Sequence, residues 1–132
     1  MIFVILVTGA PFNTQNSYSA YLFVNAAIQK KNFIQSIFFY CDGVYNANKN
    51  IKFDVDEFNL IYSWQKLSKK YNINLYLCVT SAKKRGIIRE DYDKNKLLNY
   101  QQNNDMINNR FEVTTLSTLA KSILTCDRLI QF

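Results

Sequence analysis

The sequence contains no histidine, a single proline and only three glycines. Without imidazole, most zinc sites, haem ligation by histidine and any Ser-His or Cys-His catalytic pair are excluded. So few glycines and prolines, together with 48% hydrophobic residues, exclude a disordered linker or a collagen-like repeat. No apolar run approaches the roughly 20 residues that span a bilayer. The composition therefore indicates a folded chain that is neither a hydrolase of the usual kind nor an integral membrane protein.

Cysteine is also scarce, with Cys41, Cys78 and Cys126 far apart and no CxxC motif. This spacing excludes a zinc ribbon and a thioredoxin-type redox pair. The apolar amino terminus has no basic region before it and no convincing cleavage site, so we expect no secretory signal peptide. We therefore expect a cytoplasmic protein with reduced thiols. Each cysteine is then either a small packing residue or a reactive thiol.

Acidic residues are outnumbered by basic ones, ten to sixteen, which gives a formal net charge of +6. Such an excess favours acidic partners, among them nucleic acid, an anionic membrane surface or an acidic protein. Lysine is abundant together with Asn, Ile, Tyr and Phe, which is equally typical of a bias towards AT-rich codons. The charge alone does not decide between these explanations.

Apolar, strand-forming runs alternate with amphipathic helical patterns along the 132 residues. Strands are predicted at 2–7, 34–40, 75–79 and 128–132. Helices are predicted after Ser17, from Asp54 or Asp56, before Gly86, and from Leu116 to Leu124. The polar, Asn-rich stretch 91–112 receives no assignment. This alternation predicts a single domain over residues 1–132 with an α/β fold, a three-layer α/β/α architecture around a mostly parallel central sheet of about five strands.

In open parallel sheets the working site lies beyond the carboxyl ends of the strands. Cys78 stands there, at the end of the third predicted strand and just before a helix, and Lys83, Lys84 and Arg85 follow closely. The helix start and these cations would favour an anionic thiolate, the nucleophilic form of sulfur. The alternative is a buried strand cysteine beside a solvated helix face, and position alone leaves both open. Cys41 also follows a strand, but its acidic neighbour disfavours a thiolate.

Several motifs of the chain resemble the DsrE/DsrF-like sulfur-carrier proteins, the family that forms the TusBCD sulfur relay. The resemblance runs almost end to end and is weakest over residues 91–112. The matching segments are Val7–Pro11, Phe38–Tyr40 with Asp42–Asn48, Asp56–Phe58 through Trp64–Gln65, Cys78–Val79 with Arg85–Gly86, and Leu124–Phe132. The GVYNAN loop within 43–48 and the LTCDR ending are the most specific of these.

The resemblance implies a sulfurtransferase whose catalytic residue is Cys78. It implies that Cys78 accepts a persulfide sulfur from a TusA-like donor and passes it to a TusE-like acceptor, for 2-thiolation of the tRNA wobble uridine. It also implies assembly with TusB-like and TusC-like subunits in a dimer of heterotrimers, with tRNA contacted only indirectly and no membrane. Cys126 matches the family pattern without an established role, and Cys41 lies where the family is not expected to have cysteine.

Thiolate attack on a persulfide requires neither a metal nor an organic cofactor, but it does require an exposed thiol on a rigid strand end. Lys83, Lys84 and Arg85 are expected to stabilise charge or to assist docking. Two other functions stay open at this point. One is a non-catalytic scaffold or ligand-binding subunit of a related DsrE-like oligomer, and the other is direct tRNA binding through the basic surface.

Overall fold

A computed structural model of the protein describes residues 1–89 and 106–132. These residues form five strands, four α-helices and one 3-10 helix. In chain order they are β1 (Ile2–Val7), α1 (Asn16–Gln29), β2 (Phe33–Phe39), the 3-10 helix (Cys41–Ala47), α2 (Leu60–Tyr71), β3 (Asn74–Cys78), α3 (Val79–Lys84), β4 (Phe111–Thr114), α4 (Leu116–Thr125) and β5 (Arg128–Gln131).

The five strands form one sheet in the order β4-β3-β2-β1-β5, and every neighbouring pair is parallel. Right-handed crossovers place α1 and α2 on one face and α4, which returns across the sheet, on the other. Tyr21 of α1 packs edge to face on Trp64 of α2 at 5.3 Å. Gln35 of β2 donates from Nε2 to Thr125 Oγ1 of α4 at 2.9 Å. The predicted three-layer α/β/α fold is confirmed, with a sheet that is wholly parallel.

The core lies where the central strands are covered on both faces. Val4, Ile5, Ile37 and Leu77 are 0% exposed, as their continuous apolar runs predict for buried parallel strands. Trp64 is fully buried and packs edge to face on Phe39 with ring centroids 5.6 Å apart. The central strands therefore provide a rigid base for the loops at their carboxyl ends.

The helices depart from the predicted patterns at two points. The helical spacing of Tyr18, Leu22, Ala26 and Ala27 predicts an apolar face for α1. That face is wrong for Tyr18 and Leu22, which are 39% and 50% exposed, whereas Ala27 is buried together with Ser17, Ala20 and Val24. Small side chains let the helix lie close to the sheet. Ser17 is inside α1 and does not cap it.

The second departure is the start of α2, which begins at Leu60 and not at Asp54 or Asp56. Asn59 caps it, because its side-chain Oδ1 accepts the Tyr62 N–H at 2.9 Å. The earlier acidic residues belong to a turn in which the Asp54 N–H donates to Glu57 Oε2 at 2.8 Å. The capping residue is thus an asparagine three residues after the nearer aspartate.

Strand β4 was not predicted, because its first two residues lie within the polar stretch 91–112 and its four residues form no long apolar run. Most of that stretch lies outside the described residues. The predicted short helix before Gly86 is confirmed as α3, and Gly86 has a φ of +67° where the chain leaves the helix. Among the described residues, no helix has the length and apolarity to cross a membrane.

Candidate functional site

The carboxyl ends of four strands meet along one edge of the sheet. Val7 pairs with Phe39, Phe39 with Leu77, and Cys78 with Thr114. This is the edge at which the sequence predicts the site. Thr114, at the end of β4, also lies there. Cys78 therefore lies on an interior strand, with neighbours on both sides.

Cys78 is the last residue of β3 and the residue that immediately precedes α3, with an extended backbone (φ −65°, ψ 119°). Its predicted position at a strand end before a helix is confirmed. Its predicted exposure is wrong for the single chain, because Cys78 is 1% exposed and belongs to the hydrophobic core. The cause is its interior strand, since β2 and β4 flank it and α3 follows directly.

A pair of threonines stands beside Cys78 and was missed by sequence reasoning. Thr114, its partner on β4, is 2% exposed, and the hydroxyls of Thr114 and Thr118 are 2.6 Å apart. They place hydrogen-bonding oxygens at the strand edge where the thiol lies. The sequence signal for Thr114 was the adjacent pair Thr114-Thr115 just before the amphipathic pattern of α4. That signal could not be interpreted without knowing that β4 ends there.

The basic residues after Cys78 divide into two groups. Arg85 donates from Nε to Asp42 Oδ1 at 2.8 Å and from one terminal nitrogen to the Ser81 carbonyl at 3.2 Å. Asp42, predicted to oppose a thiolate at Cys41, thus pairs with a cation of the neighbouring segment. Lys83 and Lys84 have no carboxylate within ion-pair distance in the described part of the chain. The uncompensated charge here comes from the two lysines.

The other cysteines occupy different places. Cys41 is the first residue of the 3-10 helix after β2, the strand that neighbours β3. It is half-buried, and its φ of +49° is unusual for a residue other than glycine. Its N–H donates to Ser81 Oγ at 3.1 Å, which joins the 3-10 helix to α3. Cys126 precedes β5 and therefore lies at the opposite edge of the sheet. The structure brings Cys41 near the site and leaves Cys126 away from it.

Asn46 connects the 3-10 helix to three other segments. It is fully buried, and its Oδ1 accepts the Ser17 hydroxyl at 2.8 Å and the Trp64 indole N–H at 3.2 Å. Its Nδ2 donates to the Gly9 and Gly43 carbonyls at 3.3 and 2.9 Å. The amide thus uses both of its donors and both acceptor lone pairs. This residue explains why the GVYNAN segment has one defined shape.

Gly43 allows the 3-10 helix to lie against the end of β1. A Cβ at this position would be 2.1 Å from the Val7 carbonyl oxygen, a distance that no side chain tolerates. The Tyr40 N–H donates to the same carbonyl at 2.9 Å. The loop after β2 is therefore fixed to β1 by backbone contact.

The chemistry available at this edge is the thiols of Cys78 and Cys41, hydroxyls and two lysine ammonium groups. Within residues 1–89 and 106–132 no cluster of three or more His, Cys, Asp or Glu side chains could hold a metal ion. The edge thus offers sulfur nucleophiles beside positive charge, an arrangement suited to group transfer through sulfur.

The wholly parallel sheet, with a cysteine at the end of an interior strand, defines the class of protein. The chain belongs to the DsrE/DsrF-like family, whose model matches residues 1–132. A solved structure, the ychN protein from E. coli, superimposes with a TM-score of 0.73 over 100% of both chains at 21% sequence identity, and so shares the fold.

Named relatives indicate which type of protein within this family the chain resembles. The chain is 46% identical over 132 residues to the sulfurtransferase TusD of Buchnera aphidicola subsp. Acyrthosiphon pisum (strain 5A), and the match covers 100% of both chains. It is 41% identical to TusD of the Schizaphis graminum subspecies, again over 100% of both. It is 39% identical to TusD of Proteus mirabilis, over 100% of this chain and 98% of that one.

The predicted family is confirmed by these matches, and so is the predicted enzyme class. The chain is a sulfurtransferase with a role in a sulfur relay. Within the family, its motifs and its full-length matches agree on the TusD type.

Proposed function

We propose that the chain is the sulfur-carrier subunit of a relay for 2-thiolation of the tRNA wobble uridine. In this proposal Cys78 accepts a persulfide sulfur from a TusA-like donor and passes it to a TusE-like acceptor. Residues 1–132 act as one domain, in the cytoplasm, where thiols stay reduced. The observation that carries the proposal is the position of Cys78, at the carboxyl end of an interior parallel strand in a chain of this family.

Each transfer exchanges one S–S bond for another. The Cys78 thiolate attacks the outer sulfur of the donor persulfide, so a bond forms between Cys78 Sγ and that sulfur. The donor S–S bond breaks, and its electron pair leaves on the donor thiolate. The acceptor thiolate then attacks the outer sulfur on Cys78 in the same way and releases the Cys78 thiolate. Neither step needs an external oxidant or reductant.

The burial of Cys78 adds a requirement to this mechanism. The 3-10 helix and α3 flank the thiol, and two contacts join them: the Cys41 N–H to Ser81 Oγ at 3.1 Å and the Arg85 to Asp42 ion pair at 2.8 Å. We infer that these segments separate when a donor or acceptor docks, so that the attacking thiolate, that of Cys78 in the first step and that of the acceptor in the second, reaches the outer sulfur in line with the S–S bond. The ion pair is exposed and hence weak, worth about 0 to 1 kcal/mol, so a docking protein can displace it.

Lys83 and Lys84 have a supporting role in the proposal. Both lie in the last turn of α3, five and six residues after Cys78, without a carboxylate partner in the described residues. Their charge would stabilise anionic sulfur and attract an acidic partner surface. Arg85 contributes less, because Asp42 already compensates it. Replacing both lysines by Ala should slow transfer at low salt and have little effect at high salt.

Exposed apolar side chains support assembly with TusB-like and TusC-like subunits in a dimer of heterotrimers. Of the ten residues of α4, only Ser122 is buried. Leu116, Ile123 and Leu124 are 48%, 39% and 85% exposed, and Leu129 on the edge strand β5 is 38% exposed. A helix with so little burial gains its stability when a partner covers it. We propose this α4–β5 surface as a subunit contact.

The test of the carrier role is persulfide labelling followed by mass spectrometry. The protein is incubated with a cysteine desulfurase, a TusA-like protein and cysteine. We expect an adduct of about 32 Da, one added sulfur atom, on the peptide that contains Cys78. Cys78→Ser should abolish it, whereas Cys41→Ser and Cys126→Ser should retain it. An adduct that survives Cys78→Ser would contradict the proposal.

A second candidate function is a non-catalytic scaffold or ligand-binding subunit of a related oligomer. The observation that favours it is the 1% exposure of Cys78, which is typical of a packing residue. In this case the labelled chain should carry no added sulfur even in the presence of its partner subunits. Cys78→Ala should then leave the relay's transfer rate unchanged.

A further inference from the structure

A pocket of about 780 Å³ lies outside the site described above. Residues of α2 from Tyr62 to Tyr71 form one wall, next to Tyr21 and Asn25 of α1, and Arg110, just before β4, forms part of another. Because α2 runs antiparallel to the strands, its last turns lie at the amino edge of the sheet. The pocket and Cys78 are therefore at opposite edges, with the length of β3 between them.

The described residues that line the pocket carry charge of one sign. Lys66, Lys69, Lys70 and Arg110 are among them, and none of these described lining residues is an aspartate or a glutamate. The dipole of α2 suits Lys69 and Lys70, which lie in its last turn. It does not account for Arg110, which comes from another segment, and Lys66 and Lys70 form a mildly unfavourable like-charge pair at i, i+4. An anionic ligand would relieve this repulsion.

Two exposed aromatic rings accompany these cations. Tyr62 and Tyr71 also line the pocket and are 57% and 40% exposed. The Lys66 ammonium lies 5.5 Å from the centre of the Tyr62 ring, and the Lys70 ammonium lies 5.0 Å from that of Tyr71. Each ring is thus paired with a cation. A planar aromatic group with a nearby negative charge would find complementary partners at both places.

Arg110 is held in place before any ligand binds. Its backbone is left-handed, with a φ of +81°, which is uncommon for a residue with a side chain. Its guanidinium donates to Ser68 Oγ at 3.2 Å and to the Ser68 carbonyl at 2.9 Å. A guanidinium fixed in this way loses less conformational entropy when it binds an anion. The pocket therefore contains one cation that hydrogen bonds hold in place, together with three lysines.

From these observations we propose that the pocket binds a single-stranded segment of nucleic acid. The phosphates contact Lys66, Lys70 and Arg110, and bases stack on Tyr62 and Tyr71, the combination by which proteins bind single strands without reading sequence. This binding is independent of sulfur transfer at Cys78. It goes beyond the proposed function, in which tRNA is reached only through the acceptor.

The test uses fluorescence anisotropy with fluorescein-labelled oligouridylate of about eight nucleotides and its DNA counterpart. The full chain should bind, with an affinity that falls as salt rises. Replacing Lys66 and Lys70 together by Ala should reduce the slope of log K against log salt by about 1.4, or 0.7 per lost phosphate contact. The matched control, Lys49→Ala with Lys52→Ala, removes the same charge outside the pocket and should leave the slope unchanged. Tighter binding of RNA or equal binding of both nucleic acids supports the proposal.

Substitutions of Tyr62 distinguish the contribution of base stacking from that of charge. Tyr62→Ala should weaken binding at least about fivefold, while Tyr62→Phe, which keeps the ring, should stay within about twofold of the parent. Circular dichroism checks that each variant is folded, and Cys78→Ser should bind like the parent. The proposal is overturned if the control lysine pair has the same effect as Lys66 and Lys70, or if Tyr62→Ala binds normally. It is equally overturned if polyglutamate competes as well as unlabelled oligonucleotide, which would indicate an acidic protein partner.

Discussion

At the scale of single residues, buried polar groups with complete hydrogen bonding determine the shape of the edge around Cys78. Asn46 is the main example, since it joins α1, α2, the 3-10 helix and the segment after β1 through four hydrogen bonds. In a low-dielectric interior such a network is stable only when each member keeps its partner. Its loss should therefore affect stability far more than one hydrogen bond would.

We predict that Asn46→Ala lowers the free energy of unfolding by about 2 to 5 kcal/mol, because the Ser17 hydroxyl and the Trp64 indole N–H are left buried without their partner. Urea denaturation followed by Trp64 fluorescence measures the change. The matched control is Asn50→Ala, an exposed asparagine four positions later, which should change stability by less than about 0.5 kcal/mol. Equal effects of the two substitutions would disprove the role of the network.

At the same scale, we infer that the Asp42 to Arg85 ion pair limits access to Cys78. We predict that Asp42→Asn raises the rate at which iodoacetamide alkylates Cys78 by about two- to fivefold, the effect of losing up to about 1 kcal/mol of closure. Peptide mass spectrometry separates this reaction from alkylation of Cys41. Asp56→Asn removes the same charge at an exposed position with no ion pair in the described residues and should leave the rate unchanged.

At the scale of secondary-structure elements, β3 carries both Cys78, the proposed sulfur carrier, and a titratable tyrosine. Tyr76 pairs with Glu112 of β4. Burial raises the pKa of Tyr76 above its ordinary value of 10.0, and the charge of Glu112 raises it further. Both effects disfavour the phenolate in the folded state. The free energy of unfolding thus depends on alkaline pH through this strand, although the core around it is apolar.

The sign of this effect follows from which state loses its proton first. The folded pKa is the higher one, so the unfolded chain ionises first as pH rises past about 10. The stabilisation is complete below that pH and is lost as pH rises through the folded pKa. We predict that Tyr76→Phe reduces the drop in urea midpoint between about pH 9 and about pH 11. Tyr62→Phe, at an exposed position, is the control, and an equal reduction there would contradict the assignment.

At the scale of the whole molecule, helices cover both faces of the central strands, but they differ in how far they are buried themselves. The α1–α2 face buries the large aromatic cluster around Trp64. Helix α4 on the other face leaves most of its apolar side chains exposed. A chain folded in this way has a stable core of its own and still has apolar area available for association.

We predict that Leu124→Lys weakens association with TusB-like and TusC-like subunits at least about tenfold while the isolated chain keeps its stability within about 0.5 kcal/mol. Leu124 is 85% exposed, so the single chain loses little. Analytical ultracentrifugation of the mixed subunits gives the first quantity and urea denaturation the second. Val55→Lys places the same charge at another exposed apolar position and should leave assembly intact.

Much of the architecture could be predicted, because long apolar runs such as Ile2–Val7 can hardly be anything but buried strands in a chain of this length. Four-residue β4 carries too little pattern to be recognised beside an Asn-rich stretch. The position of Cys78 at a strand end was predictable for the same reason as the strand itself. Its burial was not, because that depends on β4 and on the 3-10 helix. The basic pocket was equally hidden, since Arg110 joins Lys66 only in three dimensions.

The contact of Gly43 with the Val7 carbonyl has a mechanical consequence. It ties the 3-10 helix to β1 so closely that no Cβ fits between them, and Asn46 adds further attachments on the same side. The links towards α3 are one hydroxyl and one solvent-exposed ion pair. We therefore expect a motion that uncovers the Cys78 sulfur to break the contacts with α3 first. In such a motion the 3-10 helix stays attached to β1, and α3, which bears Lys83 and Lys84, moves away from it.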